Sequence, residues 1–167
     1  MVNEMGVEIE RKFLVDTSLW SPNNQGTEYI QGYILNEPGK CVRIRIAGEY
    51  GFLTIKAGTN SLKREEYEYG IPINDARNMI KLCENNLISK IRHVEEYDGN
   101  KWEIDVFKGD NEGLVMAEIE LNEENQQFSK PSWLLEEVTD NPRYINSNLI
   151  YYPFNQWPDE FRLIHDI

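Results

Sequence analysis

Cysteine and histidine are scarce in this chain, and their placement removes two functional classes. Cys41 and Cys83 lie far apart and belong to no CxxC or Cys/His grouping. That argues against a disulfide framework or a zinc site and makes a reducing, cytoplasmic setting the expectation. His93 and His165 are as widely separated, so a histidine-based metal centre is not expected. No run approaches the roughly 18 apolar residues of a membrane span, and the first residues lack the charged-then-apolar order of a signal peptide. Positive charge is short as well: 17 Lys and Arg against 29 Asp and Glu give −12. This is the wrong sign for holding long nucleic acids, though it leaves room for a small anion in a local basic pocket. Repeats, low-complexity tracts and linkers are missing too. The 167 residues fit one domain (1–167) that can bury a sizeable core, with a helical and aromatic tail from about residue 122.

What the chain has in abundance is charge at alternate positions. In Val7-Glu8-Ile9-Glu10-Arg11-Lys12-Phe13 the strand period puts Glu8, Glu10 and Lys12 on one face and Val7, Ile9, Arg11 and Phe13 on the other. Those oxygens could hold a divalent cation and the amine an anion, but for this stretch taken alone a strand with one solvated face is the better explanation. The habit recurs. Residues 41–46 place Arg43 and Arg45 opposite Val42, Ile44 and Ile46, and residues 52–57 pair Thr54 with Lys56. Residues 62–71, after a turn at Gly58-Thr59-Asn60, alternate Arg64, Glu66 and Glu68 with Glu65, Tyr67 and Tyr69. Residues 87–97 set Lys90 and Arg92 against Ile91 and His93; residues 101–108 set Glu103, Asp105 and Phe107 against Trp102, Ile104 and Val106. Residues 114–121 set Glu118 and Glu120 against Ala117, Ile119 and Leu121.

With residues 28–35, this makes eight expected strands, mostly joined by tight turns (Asp98-Gly99 the strongest signal) into an antiparallel meander. A helix is expected from Asn74 or Asp75, as N-cap, to about Glu84, with Ala76, Met79, Ile80 and Cys83 as its core stripe. Residues 131–138 read as a short amphipathic helix, Asp140-Asn141-Pro142 as a turn, and residues 147–151 as one more helical turn. Tyr151, Tyr152, Phe154, Trp157 and Phe161 are expected to pack as a tail across the domain.

Two readings fit the alternation. The charges can pair with one another across solvated strands, contributing little each. Alternatively, a closed barrel packed outside by helices can turn its charged face inward, around a hydrated interior. The inward set would then hold seven bases (Lys12, Arg43, Arg45, Lys56, Arg64, Lys90, Arg92) and eight acids (Glu8, Glu10, Glu66, Glu68, Glu103, Asp105, Glu118, Glu120). That many bases in so few ladder positions suit a phosphate-rich ligand, because arginine forks bind phosphate oxygens in pairs. Acids beside them suit Mg²⁺ or Mn²⁺ bridging carboxylate and phosphate.

Glu8-Ile9-Glu10-Arg11-Lys12 resembles the ExExK signature of the CYTH domain, the triphosphate tunnel metalloenzyme superfamily. The resemblance extends through Gln31-Gly32-Tyr33, Arg43-Ile44-Arg45, Thr54-Ile55-Lys56, Arg64-Glu65-Glu66-Tyr67-Glu68, Lys90-Ile91-Arg92, Trp102-Glu103-Ile104-Asp105 and Glu118-Ile119-Glu120. Residues 137–146 look like the small bacterial members. The resemblance implies an α+β, mainly β, fold: an eight-stranded antiparallel closed barrel, or tunnel, with flanking helices. It implies metal, Mg²⁺ or Mn²⁺, at Glu8, Glu10, Glu118 and Glu120, and triphosphate at Lys12, Arg43, Arg45, Lys56, Arg64, Lys90 and Arg92. Lys12, Glu10, Lys90 and Glu120 are the expected catalytic residues, with Glu66, Glu68, Glu103 and Asp105 lining the tunnel.

The compact chain, with no separate base-recognition element, makes hydrolysis of inorganic triphosphate to pyrophosphate and phosphate the expected reaction. A class IV-type adenylate cyclase is the alternative, then a thiamine triphosphatase, then a polyphosphate or nucleotide binder without turnover. The apolar outer strand faces are compatible with a homodimer; no membrane or long nucleic acid is expected as partner.

Overall fold

The computed structural model describes residues 7–58 and 63–162. Thr59, Asn60 and Leu62, where a turn and a strand start are expected, lie outside them. The strands are β1 (Val7–Val15), β2 (Thr27–Glu37), β3 (Lys40–Ala47), β4 (Tyr50–Ala57), β5 (Lys63–Ile71), β6 (Leu87–Tyr97), β7 (Asn100–Phe107), β8 (Val115–Glu120) and β9 (Leu134–Glu137). Eight of them close an antiparallel barrel in the order β5-β4-β3-β2-β6-β7-β8-β1, with β1 returning to β5. The ring is therefore not a plain meander: β1 leaves its sequence neighbour β2 and seals the gap between β8 and β5. The hairpin between β6 and β7 turns on Asp98 (φ 48°) and Gly99 (φ 76°), two successive left-handed residues of the kind that match strand twist in a two-residue turn.

Helix α1 (Ile73–Leu82) makes the crossover from β5 to β6. It is preceded by Pro72 and has no side-chain cap, so neither Asn74 nor Asp75 takes the expected N-cap role. A proline outside the first turn needs no N–H, and its fixed φ starts the helix two residues early. α1 lies close on β4: a Cβ at Gly51 would sit 2.6 Å from Cβ of the fully buried Ala76, so only glycine permits this approach.

The segment 131–138 corrects the sequence reading. Its centre is not a helix but β9, which pairs with the second half of β1, Phe13 opposite Glu137 and Val15 opposite Leu134. β5 pairs only with the beginning of β1, leaving the later N–H and C=O groups exposed; Val138 N–H donates to Lys12 O, and Arg11 ion-pairs with Glu137. An unpaired edge outweighs the weak helical signal of four residues.

The outer wall of β1, β7 and β8 is covered by loop aromatics rather than helices. Trp20, Phe128 and Trp133 pack on Phe13, Trp102, Ile104 and Ile119. Arg143, Tyr144 and their neighbours begin the C-terminal segment, which folds through one short helix, α2 (Asn146–Leu149), and ends in α3 (Asp159–Arg162). As expected, Phe154 and Trp157 are buried, with Phe161 partly so, whereas Tyr151 and Tyr152 stay exposed. The segment packs across one end of the barrel, where Tyr144, Leu149, Phe154 and Trp157 meet inward-facing Leu14, Tyr33, Ile88, Phe107 and Met116. That end is an apolar plug.

Candidate functional site

Residues directly opposite in a sheet point to the same side, so register alone identifies what faces the interior. Glu8 lies opposite Arg64, Glu10 opposite Glu120, and Lys12 opposite Glu118. Arg43 opposes Thr54, Lys56 opposes Glu66, Arg92 opposes Asp105, and Glu103 opposes Glu118. All seven expected bases line one cavity of about 400 Å³, together with Glu8, Glu10, Glu66, Glu68, Glu103, Glu118 and Glu120. The charged face is turned inward.

Burial grades along the strands. From the plug outward, Met116, Glu118 and Glu120 run from fully buried to exposed, as do Phe107, Glu103 and Lys101. The cavity therefore has a dry apolar floor and a wet charged mouth. Asp105, expected as lining, is instead wholly buried beneath the bases. It accepts from Lys90 Nζ at 2.5 Å and from Arg92 Nε and Nη2 at 2.7 Å each.

Every base has an acid within reach. Lys56 is 2.8 Å from Glu8, Arg64 2.8 Å from Glu10, Arg45 2.7 Å from Glu68 and Arg92 2.5 Å from Glu103. Arg43 reaches Glu68 at 3.5 Å and Glu66 at 3.7 Å. Lys12 sits between Glu10 and Glu118, 3.4 Å from each. Burying charges is costly, and these pairings offset much of that cost. Burial raises Asp105 and Glu118, yet Arg92 and Lys90 for the first, and Lys12 and Arg92 for the second, hold both below the usual carboxylate range. Burial and Arg43 lower Arg45, leaving its charge the least favoured of the arginines. Glu120, at the mouth, goes the other way, pushed up by partial desolvation and by the negative charge of Glu8 and Glu103.

The expected metal residues Glu8, Glu10, Glu118 and Glu120 do share the cavity, but Lys12, Lys56 and Arg64 hold the first three. Among the described residues no three acids, histidines or cysteines converge as a ready metal cage.

Sequence reasoning gave no site role to the neutral residues, although Thr54, Gln31 and Tyr33 lie in the segments that carry the resemblance. Thr54, wholly buried, donates to Glu68 and accepts from Arg43. Tyr29 stacks under both Arg45 and Arg92, at 5.3 and 5.0 Å from the ring centre. Gln31, Tyr33, Cys41, Asn146 and Ser147 also line the cavity. The parity of Gln31 and Tyr33 with Arg45 and Arg43 was the available signal; nothing in the sequence brings residues 145–147 to the barrel.

No helix among the described residues is long and apolar enough to cross a membrane. The sequence model of the CYTH domain matches residues 6–148. An inorganic triphosphatase of Acetivibrio thermocellus is 44% identical over 156 residues, 93% of this chain and 100% of that protein. One from Nitrosomonas europaea is 34% identical over 148 residues, 85% of this chain and 95% of that protein. The crystal structure of an inorganic triphosphatase superposes with a TM-score of 0.63 at 32% identity, over 86% of this chain and 93% of that one. With a closed eight-stranded barrel and a matched family model over most of its length, this chain belongs to the CYTH domain family.

Proposed function

We infer that this protein is an enzyme that hydrolyses inorganic triphosphate to pyrophosphate and phosphate. The observation that carries the reading is the gathering of seven bases from β1, β3, β4, β5 and β6 around one cavity, in a chain of net charge −12. The names of the relatives support it, and a cavity lined so largely by charged side chains favours the bare anion.

Lys12, Arg43, Arg45, Lys56, Arg64 and Arg92 would grip the phosphate oxygens, hold the chain in line and neutralise charge that builds on the bridging oxygen. Water attacks the terminal phosphorus, the bond to the bridging oxygen breaks, and pyrophosphate leaves. Burial brings Lys90 down to about 8, against the pull of Asp105 and helped by Arg92, so a minor share of it is free amine at neutral pH, growing as pH nears 8, and that form can accept a proton from the water.

The donor set Glu8, Glu10, Glu118 and Glu120 is all carboxylate oxygen, which suits Mg²⁺ or Mn²⁺, and the repulsion that raises Glu120 is what a cation relieves. Triphosphate drawing off Lys12, Lys56 and Arg64 would release three of these acids toward the ion, which would screen the phosphate charge.

Incubation with Mg²⁺ or Mn²⁺ and, separately, inorganic triphosphate, ATP or thiamine triphosphate tests the reading. Phosphate release from inorganic triphosphate is expected. Cyclic AMP and pyrophosphate from ATP would indicate a cyclase, and no product from any of them would leave a binder. Glu10→Ala and Lys56→Ala are expected to abolish turnover with the barrel still folded by circular dichroism; full activity in either would sink the site assignment.

A further inference from the structure

Where the charged lining meets the apolar plug stands Gln31 on β2. It faces Arg45 on β3 on one side and Ile88 on β6 on the other, and the next residue on its face, Tyr33, already belongs to the plug. Gln31 is 1% exposed, lines the cavity, and its Nε2 has no hydrogen-bond partner. A buried amide donor left unmet is costly, and a methionine would fill the same volume without that cost. Folding therefore gives no reason for an amide here.

Two more unmet donors lie on the adjacent strand. Arg43 and Arg45 spend their Nη2 groups on Glu68 and Thr54, while the Nε of each is buried and unpartnered. Gln31 Nε2, Arg43 Nε and Arg45 Nε are thus three N–H donors without acceptors, on two paired strands that line the same cavity. Asn146, on the C-terminal side of the cavity, carries an unpartnered Oδ1, and a half-turn of that amide presents its NH₂ instead. A phosphoryl group brings three acceptor oxygens and no donor when ionised, and a neutral amide can bind it without needing an acid for its own neutralisation.

We propose that Gln31 is a substrate-binding residue, which with the Nε groups of Arg43 and Arg45 forms the subsite for the phosphoryl group lodged against the plug. Because the plug stops the chain there, the group held is a chain end and not a bridging unit. This rests on the triphosphatase reading and adds to it the residue that receives the buried end.

The test compares the wild type with Gln31→Met by thermal melting and by calorimetric titration with an imido-bridged, non-hydrolysable triphosphate analogue. The free variant is expected to melt at the wild-type temperature or above it, since an unmet donor has gone. Its affinity for the analogue is expected to fall about tenfold or more, the loss for one hydrogen bond to a charged group. Unchanged affinity overturns the proposal, as does a free variant that melts lower or fails to fold, because the amide would then be structural. The wild-type titration separates the two levels of inference. If the wild type ignores the inorganic analogue but binds a non-hydrolysable ATP analogue, the inorganic-triphosphate reading falls, and the Gln31→Met comparison on that ligand decides the subsite. If the wild type binds neither, both fall.

Discussion

Two lysines buried in one cavity meet opposite electrostatic surroundings. Burial works against the charge of both. At Lys12, Glu118 and Glu10 more than offset it and hold the ammonium well above the ordinary lysine range. At Lys90, burial prevails: Asp105 is its ion-pair partner and Glu118 adds a weaker pull, but Arg92 both shares the Asp105 carboxylate and repels the amine, so Lys90 falls to about 8. The wall from β1 to β8 sets four acids against one base, Lys12, whereas the wall from β6 to β7 balances Lys90 and Arg92 with Glu103 and Asp105. What sets the protonation of a buried group here is the local ratio of charges, since depth is alike for the two.

Substitutions can break that comparison. The largest expected effect is Asp105→Ala, which leaves Lys90 without its ion-pair partner and takes two bonds from Arg92, though Arg92 keeps Glu103 and Glu118. It should cost about 3–5 kcal/mol of unfolding free energy in a urea titration, the usual penalty for an uncompensated buried charge. Next, Lys12→Met leaves Glu10 and Glu118 facing each other with only Arg64 and Arg92 in reach, for a loss of about 2 kcal/mol. Lys90→Met should cost clearly less, because Asp105 keeps both bonds from Arg92. An equal or larger loss at Lys90 would contradict the assigned imbalance.

The pH dependence sharpens the same point. With a folded pKa of about 8 against 10.5 for an ordinary lysine, Lys90 binds fewer protons folded than unfolded between those limits. Stability should therefore rise as pH goes from about 8 to 10, by on the order of 1–2 kcal/mol from this group, and the rise should be missing from Lys90→Met. The difference between the two slopes, measured by denaturation at each pH, isolates Lys90 from other titrating groups. Smallest of all, Arg11→Ala removes a half-exposed ion pair to Glu137 and should cost about 1 kcal/mol or less.

The strands of the barrel and the sign of their inward face were legible because alternation is local: Glu8, Glu10 and Lys12 share a face whatever lies beyond. β9 was not, since Leu134-Leu135-Glu136-Glu137 suits a helix turn as well as a strand, and the exposed edge of β1 that decides the matter lies over a hundred residues earlier. The cap of α1 misled for a related reason. Asn74 and Asp75 are good cap residues, but the preceding Pro72 had already set the backbone. Within the site, the charges could be listed from parity, whereas the pairing of Asp105 beneath Lys90 and Arg92, and the arrival of residues 145–147 at the floor, are products of closure and packing. Parity put Phe107 on the face of Glu103 and Asp105, and in the structure Leu14, Ile88 and Met116 join it on the inward faces. Their gathering at one end required the register of four strands at once.

The position of β1 bears on how the molecule is made. Its first described residues pair with β5, its middle with β8 and its end with β9. On the ribosome this strand emerges ahead of every partner, and the ring cannot shut until β8 has followed. Until then its alternating edge is open, and the charges along it that later face the cavity discourage pairing with another chain. Closure between such distant segments is entropically slow, so refolding should show a late phase set by the docking of β1.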